Sequence, residues 1–154
     1  MKKKVVIFGG GPHSKVVLDL MLQNSEFDVA GVVDREGCAP FGLPLLSKED
    51  DMDTIRKMGI SFAFAAVGSN RVRRIICEKA KSTGFQLVNV IAPDAVVSSF
   101  SHIGSGVLIN HGAIVNAGAA VGDGVILNTG CSVDHDCVIG SFCHIAPGVH
   151  SHGC

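Results

Sequence analysis

Residues 91–149 read IAPDAVVSSFSHIGSGVLINHGAIVNAGAAVGDGVILNTGCSVDHDCVIGSFCHIAPGV, and an aliphatic residue occurs at every sixth position. The members of this register are Ile91, Val97, Ile103, Ile109, Val115, Val121, Leu127, Val133, Ile139 and Ile145. A second register of small or apolar residues lies four positions later in each unit, from Ala95 to Val149. A period of six fits neither an amphipathic helix, with a period of about 3.6, nor a strand, with a period of about 2. It predicts a hexapeptide β-helix, in which each unit forms one flat side of a triangular coil and both registers point inward.

The composition excludes several classes of protein. The chain has 154 residues, a formal charge of −1 and a pI near 6.6, without the basic stripe of a nucleic-acid-binding protein. The mean hydropathy of +0.39 is high, but no apolar run approaches the ~20 residues of a membrane span. Three lysines and an apolar run resemble the start of a signal peptide, but the run ends at Gly9. We therefore expect a cytoplasmic protein that binds neither nucleic acid nor membrane.

The six cysteines lack paired zinc spacing. Cys131, Cys137 and Cys143 fall in the small inward register, where a free cysteine behaves as a small apolar side chain. They are therefore interpreted as core residues. Histidines near the end of the chain lack a carboxylate partner set, so no metal site is expected.

The first ninety residues alternate between two patterns. Strand patterns occur at 5–8, 29–33, 60–67 and 85–91, and helical patterns at 16–22, 50–58 and 71–82. On the third helix the apolar residues are Val72, Ile75, Ile76 and Ala80. The alternation predicts an α/β domain with a Rossmann-like parallel sheet over residues 1–90. The β-helix domain follows over residues 91–154.

A glycine-rich turn, Gly-Gly-Gly-Pro-His-Ser at 9–14, follows the first predicted strand. Glycines let a backbone approach a phosphate, and a helix N-terminus offers unpaired N–H groups. Asp34 ends the second strand, where a carboxylate can accept hydrogen bonds from a sugar hydroxyl. Ser14 stands where the dinucleotide fingerprint has its third glycine, so the pattern also suits a tight turn without a ligand. His13 lies at the sheet edge where α/β proteins bind ligands.

His135 is flanked by Asp134 and Asp136. A carboxylate bound to one ring nitrogen fixes the tautomer and makes the other nitrogen more basic. Gly153 comes 18 residues later, one full coil, so its N–H is expected above His135, where it could stabilise an oxyanion. This arrangement suits acyl transfer, although acidic neighbours also occur around ordinary surface histidines.

Three segments carry a resemblance to a known family: GGGPHSKVV at 9–17, VGSN at 67–70 and NTGCSVDHDCVIG at 128–140. Together they resemble the sialic acid O-acetyltransferase family, which includes bacterial N-acetyltransferases of UDP-4-amino sugars such as the bacillosamine-pathway enzyme. The resemblance covers the whole chain. It implies that the first domain binds a nucleotide sugar. It also implies that the left-handed parallel β-helix forms a homotrimer with acetyl-CoA between neighbouring copies.

The resemblance also implies residue roles. His135 would be the catalytic base, with its basicity raised by Asp136. His144 and the amide of Gly153 would contact the acetyl-CoA end. The sugar-nucleotide site would comprise Gly11, Pro12, His13, Asp34, Arg35 and Gly68. Family members carry Gly-His at 12–13, so Pro12 departs from the pattern. They also continue for several coils beyond Cys154, so we expect a C-terminally truncated chain that keeps the sugar-nucleotide site and binds CoA poorly.

The leading functional prediction is an acetyl-CoA-dependent N-acetyltransferase acting on the amino group of a nucleotide-linked amino sugar. O-acetylation of a sialic acid-type sugar would use the same base, so His135 does not separate the two. An NAD-dependent oxidoreductase built on residues 1–90 would leave the β-helix without a role. A non-catalytic sugar-nucleotide-binding module is the third alternative.

Overall fold

A computed structural model describes residues 2–48 and 51–152. The chain divides into two compact units, Met1–Val88 and Asn89–Cys154. The division lies two residues before the predicted boundary, because strand β6 (Val90–Ile91) pairs with strand β9 (Leu108–Ile109) of the second unit.

The first unit contains a five-stranded parallel sheet with the strand order β3-β2-β1-β4-β5. Its strands are β1 (Lys3–Phe8), β2 (Phe27–Val33), β3 (Leu45–Ser47), β4 (Phe62–Ala65) and β5 (Gln86–Leu87). The helices are α1 (Pro12–Gln23), α2 (Met52–Lys57) and α3 (Asn70–Ser82), and Pro40–Gly42 forms a 3-10 turn. Strand β1 is central, and its run from Val5 to Phe8 is fully buried. The predicted parallel α/β sheet is confirmed.

The predicted strand at 85–91 is wrong as a single element. It forms two short strands, β5 in the first unit and β6 in the second. Asn89 lies between them, and its side chain bonds to two backbone groups: it donates to Gly104 O at 2.8 Å and accepts from Val107 N at 2.9 Å. These bonds tie Asn89 into the first coil of the β-helix, so the strand pattern is interrupted there.

Helix α3 buries only part of the predicted apolar face: Ala80 is buried and Ile76 packs against the core. Val72 and Ile75 are 43% and 54% exposed, whereas Arg73 is 1% exposed. The buried guanidinium donates to the carbonyls of Val67 and Gly68, both at 3.0 Å. Because these acceptors satisfy the arginine, it can be buried, and the helix turns two apolar side chains outward.

Helix α1 also differs in part from its pattern, because Val16 and Leu22 are exposed while Val17, Leu18 and Met21 are fully buried. None of the helices within residues 2–48 and 51–152 is both long and apolar enough to cross a membrane.

The second unit is a parallel β-helix with three sheets, ordered β16-β13-β10-β7, β14-β11-β8 and β15-β12-β9-β6. Its strands are β6, β7 (Val96–Val97), β8 (His102–Ile103), β9, β10 (Ile114–Val115), β11 (Ala120–Val121), β12 (Ile126–Leu127), β13 (Ser132–Val133), β14 (Val138–Ile139), β15 (His144–Ile145) and β16 (His150–Ser151). Paired residues are 18 apart, as in Ile114 with Ser132. The hexapeptide architecture is confirmed.

The β-helix interior is filled by the two inward registers. Cys131 and Cys137 are buried free thiols in this core. Cys143, expected in the same register, is exposed, as is Val149. Both belong to the last described turn of the stack, where no described coil covers them.

Candidate functional site

His135 and Asp136 form an exposed hydrogen-bonded pair at the corner that follows β13. The distance from His135 Nδ1 to Asp136 Oδ2 is 3.0 Å, and His135 N donates to Asp134 Oδ1 at 2.8 Å. The hydrogen bond to Asp136, together with the charges of Asp134 and Asp136, raises the pKa of His135 above its ordinary value. Because Asp136 accepts the Nδ1 hydrogen, Nε2 is the nitrogen that can take a proton from a substrate.

The backbone of Asp136 is in the left-handed region, with φ of 60°. At the same repeat position of the β-helix, six glycines have φ between 60° and 77°: Gly106, Gly112, Gly118, Gly124, Gly130 and Gly148. Phe142 is the other described non-glycine residue of this register with positive φ. Aspartate tolerates this conformation better than most residues, and strained positions concentrate at functional sites. A glycine every six residues from Gly106 to Gly148, interrupted by Asp136 and Phe142, is a sequence signal that was not used to find the site.

The coil beneath supports the pair. A Cβ atom at Gly118 would lie 2.3 Å from Asp136 Oδ1, so the carboxylate occupies space that only glycine leaves open. Asn116 Nδ2 donates to Asp134 Oδ1 at 3.1 Å. Residues 18 positions earlier therefore position both acids that flank His135.

His144 lies away from this corner. It is in β15, whereas His135 follows β13, and these strands belong to different sheets. Nine residues are half of an 18-residue coil, so the two histidines lie on opposite sides of it. The Nε2 atom of His144 is 3.0 Å from Nδ2 of Asn128, a residue that the sequence did not single out. Gly153, predicted to lie above His135, is outside the described residues.

In the first unit, Asp34 mainly organises its own loop. Its Oδ1 accepts from Gly10 N at 2.9 Å, and its Oδ2 accepts from Glu36 N at 3.1 Å and Cys38 N at 2.9 Å. Partial burial raises the pKa of Asp34, but these backbone hydrogen bonds outweigh it and lower the pKa overall. Backbone amides already occupy both of the oxygens that were expected to bind a sugar hydroxyl.

The glycine turn is shaped by close packing. A Cβ at Gly10 would lie 1.9 Å from the Cys38 carbonyl oxygen, whereas one at Gly11 would meet nothing within 4 Å. Ser14 is fully buried, and its hydroxyl donates to Gly11 O at 2.7 Å. Serine therefore fits at the third position of the fingerprint, because its hydroxyl stabilises the turn through the hydrogen bond to Gly11.

The departure at Pro12 also fits the fold, because Pro12 opens helix α1, where proline's missing N–H is not needed. His13 follows it in the first turn and is half-buried. The carbonyl of Gly68 accepts a hydrogen bond from Arg73.

Two pockets flank the turn. One of about 310 Å³ lies against the outward apolar face of α3, and the other, of about 360 Å³, lies beside the start of α1. The first is lined by Phe8, Gly9, Val33, Asp34, Arg35, Glu36, Val67, Val72, Ile75 and Ile76. The second is lined by Gly10, Gly11, Pro12, Lys15, Cys38, Ala39 and Pro40. Four of the predicted substrate residues, Gly11, Pro12, Asp34 and Arg35, therefore line pockets.

No group of three His, Cys, Asp or Glu side chains among residues 2–48 and 51–152 is arranged to hold a metal ion.

Comparison with known proteins identifies relatives for both units. Residues 4–80 match the family described as PglD N-terminal domain. The UDP-N-acetylbacillosamine N-acetyltransferase of Bacillus subtilis (strain 168) is 33% identical over 115 residues, covering 70% of this chain and 51% of that protein. The chain thus spans about half the length of this curated relative.

Two solved structures cover nearly the whole chain. PerB from Caulobacter crescentus, in complex with CoA and GDP-perosamine, is 42% identical with a TM-score of 0.88, covering 94% of this chain and 69% of that one. The acetyltransferase domain of PglB from Neisseria gonorrhoeae FA1090, in complex with acetyl coenzyme A, is 36% identical with a TM-score of 0.87, covering 97% and 73%.

Proposed function

The chain belongs to the family of the PglD N-terminal domain, and on that basis we propose that it is an acetyl-CoA-dependent N-acetyltransferase acting on a nucleotide-linked amino sugar. The observation that carries the proposal is the His135–Asp136 pair on a β-helix corner, with Nδ1 and Oδ2 3.0 Å apart. The names of the relatives, which refer to bacillosamine, perosamine and acetyl coenzyme A, support the same chemistry.

In this reaction one base, His135, takes part in two proton transfers. Nε2 of His135 removes a proton from the sugar amine as the nitrogen attacks the thioester carbonyl. The new C–N bond forms, the tetrahedral intermediate collapses, and the C–S bond breaks. The departing thiolate then takes the proton from His135, giving free CoA and the N-acetyl sugar. Asp136 stabilises the charged ring between these two steps.

The first unit would hold the nucleotide sugar. The pocket of about 310 Å³ is of the size that small-molecule sites have. Its apolar wall on α3 suits a flat base. We assign substrate binding to the predicted set of Gly11, Pro12, His13, Asp34, Arg35 and Gly68. For Asp34 and Gly68 the assigned role is to shape the loops.

A homotrimer would complete the site. His135 and His144 lie on opposite sides of the coil, so both can face one acetyl-CoA only if they come from neighbouring copies. Exposed apolar side chains are available for such a contact: Val138 is on the strand after the His135 corner, and Val96 and Phe100 lie two coils below Ser132 and Asp136. They are 79%, 61% and 83% exposed. The free cysteines of the described residues agree with the cytoplasmic location that we propose.

Transfer of labelled acetyl groups to UDP- and GDP-linked 4-amino sugars tests the proposal. His135→Ala should lower kcat by ~10²–10⁴-fold, the usual contribution of a general base. The matched control is His111→Ala, because His111 has the same repeat position and its own acid, Asp94, at 2.6 Å. His111→Ala should keep wild-type turnover.

The product separates the competing activities. An amide resists hydroxylamine, whereas the O-acetyl ester of the alternative reaction is cleaved by it. Equal loss of activity in both variants, or NAD-dependent turnover in place of acetyl transfer, would contradict the proposal.

A further inference from the structure

A chain of side-chain hydrogen bonds leads from the protein interior to the ring of His144. It begins at Asn110, which is 3% exposed. Asn110 Nδ2 donates to Asn128 Oδ1 at 3.2 Å and to Thr129 Oγ1 at 3.0 Å. Asn128 Nδ2 in turn lies 3.0 Å from His144 Nε2. We call Asn110, Asn128 and His144 the amide relay.

Backbone N–H groups fix the direction of the relay. Asn110 Oδ1 accepts from His111 N, and Asn128 Oδ1 accepts from Thr129 N, both at 2.8 Å. A backbone N–H can only donate, so the side-chain atom that faces it must be the amide oxygen. Each NH₂ group therefore points onward along the relay, and Asn128 must donate to His144.

This direction determines the tautomer of His144. A neutral imidazole has one donor nitrogen and one acceptor nitrogen, and the hydrogen bond of the one sets the role of the other. Since Nε2 accepts from Asn128, the hydrogen is on Nδ1. A protonated ring would turn its Nε2–H toward the N–H of the amide, so the neutral ring is the form that fits. We propose that Asn110 and Asn128 are positioning residues that hold His144 as the neutral Nδ1–H tautomer, a hydrogen-bond donor.

The role of this donor rests on the proposed function. The acyl end of acetyl-CoA presents a thioester oxygen, which can only accept hydrogen bonds and gains negative charge during attack. In His135 a carboxylate engages Nδ1, so the ring accepts a proton at Nε2. In His144 an amide engages Nε2, so the ring donates from Nδ1. The Nδ1–H tautomer thus makes His135 a base at one corner and makes His144 a hydrogen-bond donor on the other side of the coil.

The tautomer can be measured without any substrate. In ¹⁵N-histidine NMR spectra of the wild-type protein at a pH where the ring is neutral, His144 should carry its hydrogen on Nδ1. Its signal is assigned by its loss in His144→Gln. In Asn128→Asp the carboxylate still accepts from Thr129 N but also accepts from the ring, so the hydrogen should move to Nε2. Asn24→Asp is the matched control, because that side chain likewise accepts from a backbone N–H, Glu26 N at 2.9 Å, at the end of α1.

Kinetics supply the second measurement. Asn128→Asp should lower kcat by ~10²–10³-fold, as loss of one oxyanion donor does, with KM for the nucleotide sugar unchanged. A wild-type His144 with its hydrogen on Nε2 would overturn the relay, and so would an Asn128→Asp spectrum identical to the wild type. If the tautomer is as stated but the wild type transfers no acetyl group, the relay stands and the proposed function fails.

Discussion

Gly118→Ala should break the hydrogen bond between His135 and Asp136 although neither residue is replaced. The new Cβ would lie 2.3 Å from Asp136 Oδ1, whereas ordinary contacts begin at 3.4 Å. The carboxylate therefore has to retreat by about 1 Å. A shift of that size stretches the 3.0 Å bond from His135 Nδ1 beyond hydrogen-bonding distance.

The same substitution also strains the backbone, and Gly112→Ala is the control for that strain. Gly112 occupies the same repeat position with φ of 67°, against 77° at Gly118, and its Cβ would meet only Gly130, at 3.7 Å. A left-handed alanine costs roughly 1–2 kcal/mol. For a chain of this size each kcal/mol lowers Tm by about 2–4 °C. Both variants should therefore lose about 2–8 °C.

The two variants should differ at the site. Loss of the Asp136 hydrogen bond should lower the pKa of His135 toward its ordinary value in Gly118→Ala only, as followed by NMR titration of the ring. Acetyl transfer should fall on the order of tenfold in the same variant, within the range for a partner that orients a catalytic group. An unchanged pKa of His135 in Gly118→Ala, or an equal change in Gly112→Ala, would refute the reasoning.

Three further predictions concern charge and close packing. Asp136→Asn should shift the acid limb of the kcat/KM profile to lower pH. Folding raises the pKa of His135. The loss of folding stability in this variant should therefore be complete below about pH 6.5 and should vanish above the pKa of His135 in the folded protein. Asp34→Asn should lower Tm at pH 7. Since folding lowers the pKa of Asp34, the difference in Tm between this variant and the wild type should become smaller below about pH 3.9. Gly10→Ala should unfold the glycine turn, because its Cβ would lie 1.9 Å from a carbonyl oxygen, whereas Gly11→Ala should keep the wild-type Tm.

The β-helix could be predicted almost entirely from the sequence, because every coil repeats the same two inward registers. Its sheets pair residues 18 apart, as expected from three six-residue units. The predicted family is likewise confirmed. The three segments that carried the resemblance lie in both units, so it did not depend on the repeat alone.

The errors in the first unit share one physical cause, which is that hydropathy patterns ignore hydrogen bonds. Asn89 splits a predicted strand because its side chain bonds to the first coil. Arg73 displaces apolar residues from the buried face of α3 because two backbone carbonyls satisfy its charge. In both cases a polar side chain lies among apolar ones. The partners of Asn89 are 15 and 18 residues away, and the partners of Arg73, although near in sequence, are backbone carbonyls that a hydropathy pattern does not register.

The site residues were predicted because they are neighbours in sequence or because they match the family's motifs. Neither criterion identifies a contact such as that between Asn128 and His144. Asp136 is next to His135 in sequence, so their pairing could be anticipated. Asn128 contacts His144 across 16 residues rather than a full coil of 18, because it extends from the end of one strand to the strand above. Such diagonal contacts are not visible in a strict count of repeats.

The left-handed corners of the coil connect the architecture with the chemistry. Positive φ recurs every six residues from Gly106 to Gly148, and glycine supplies it at six of these eight corners. Asp136 and Phe142 depart from that rule, and each has a glycine one coil below. A Cβ at Gly118 would strike the Asp136 carboxylate at 2.3 Å, and one at Gly124 would strike the Phe142 ring at 2.5 Å. A side chain at such a corner therefore leans onto the coil beneath, which must leave space for it. For this reason the acid that tunes His135 depends on a residue 18 positions earlier, and a corner must be read together with the one below it.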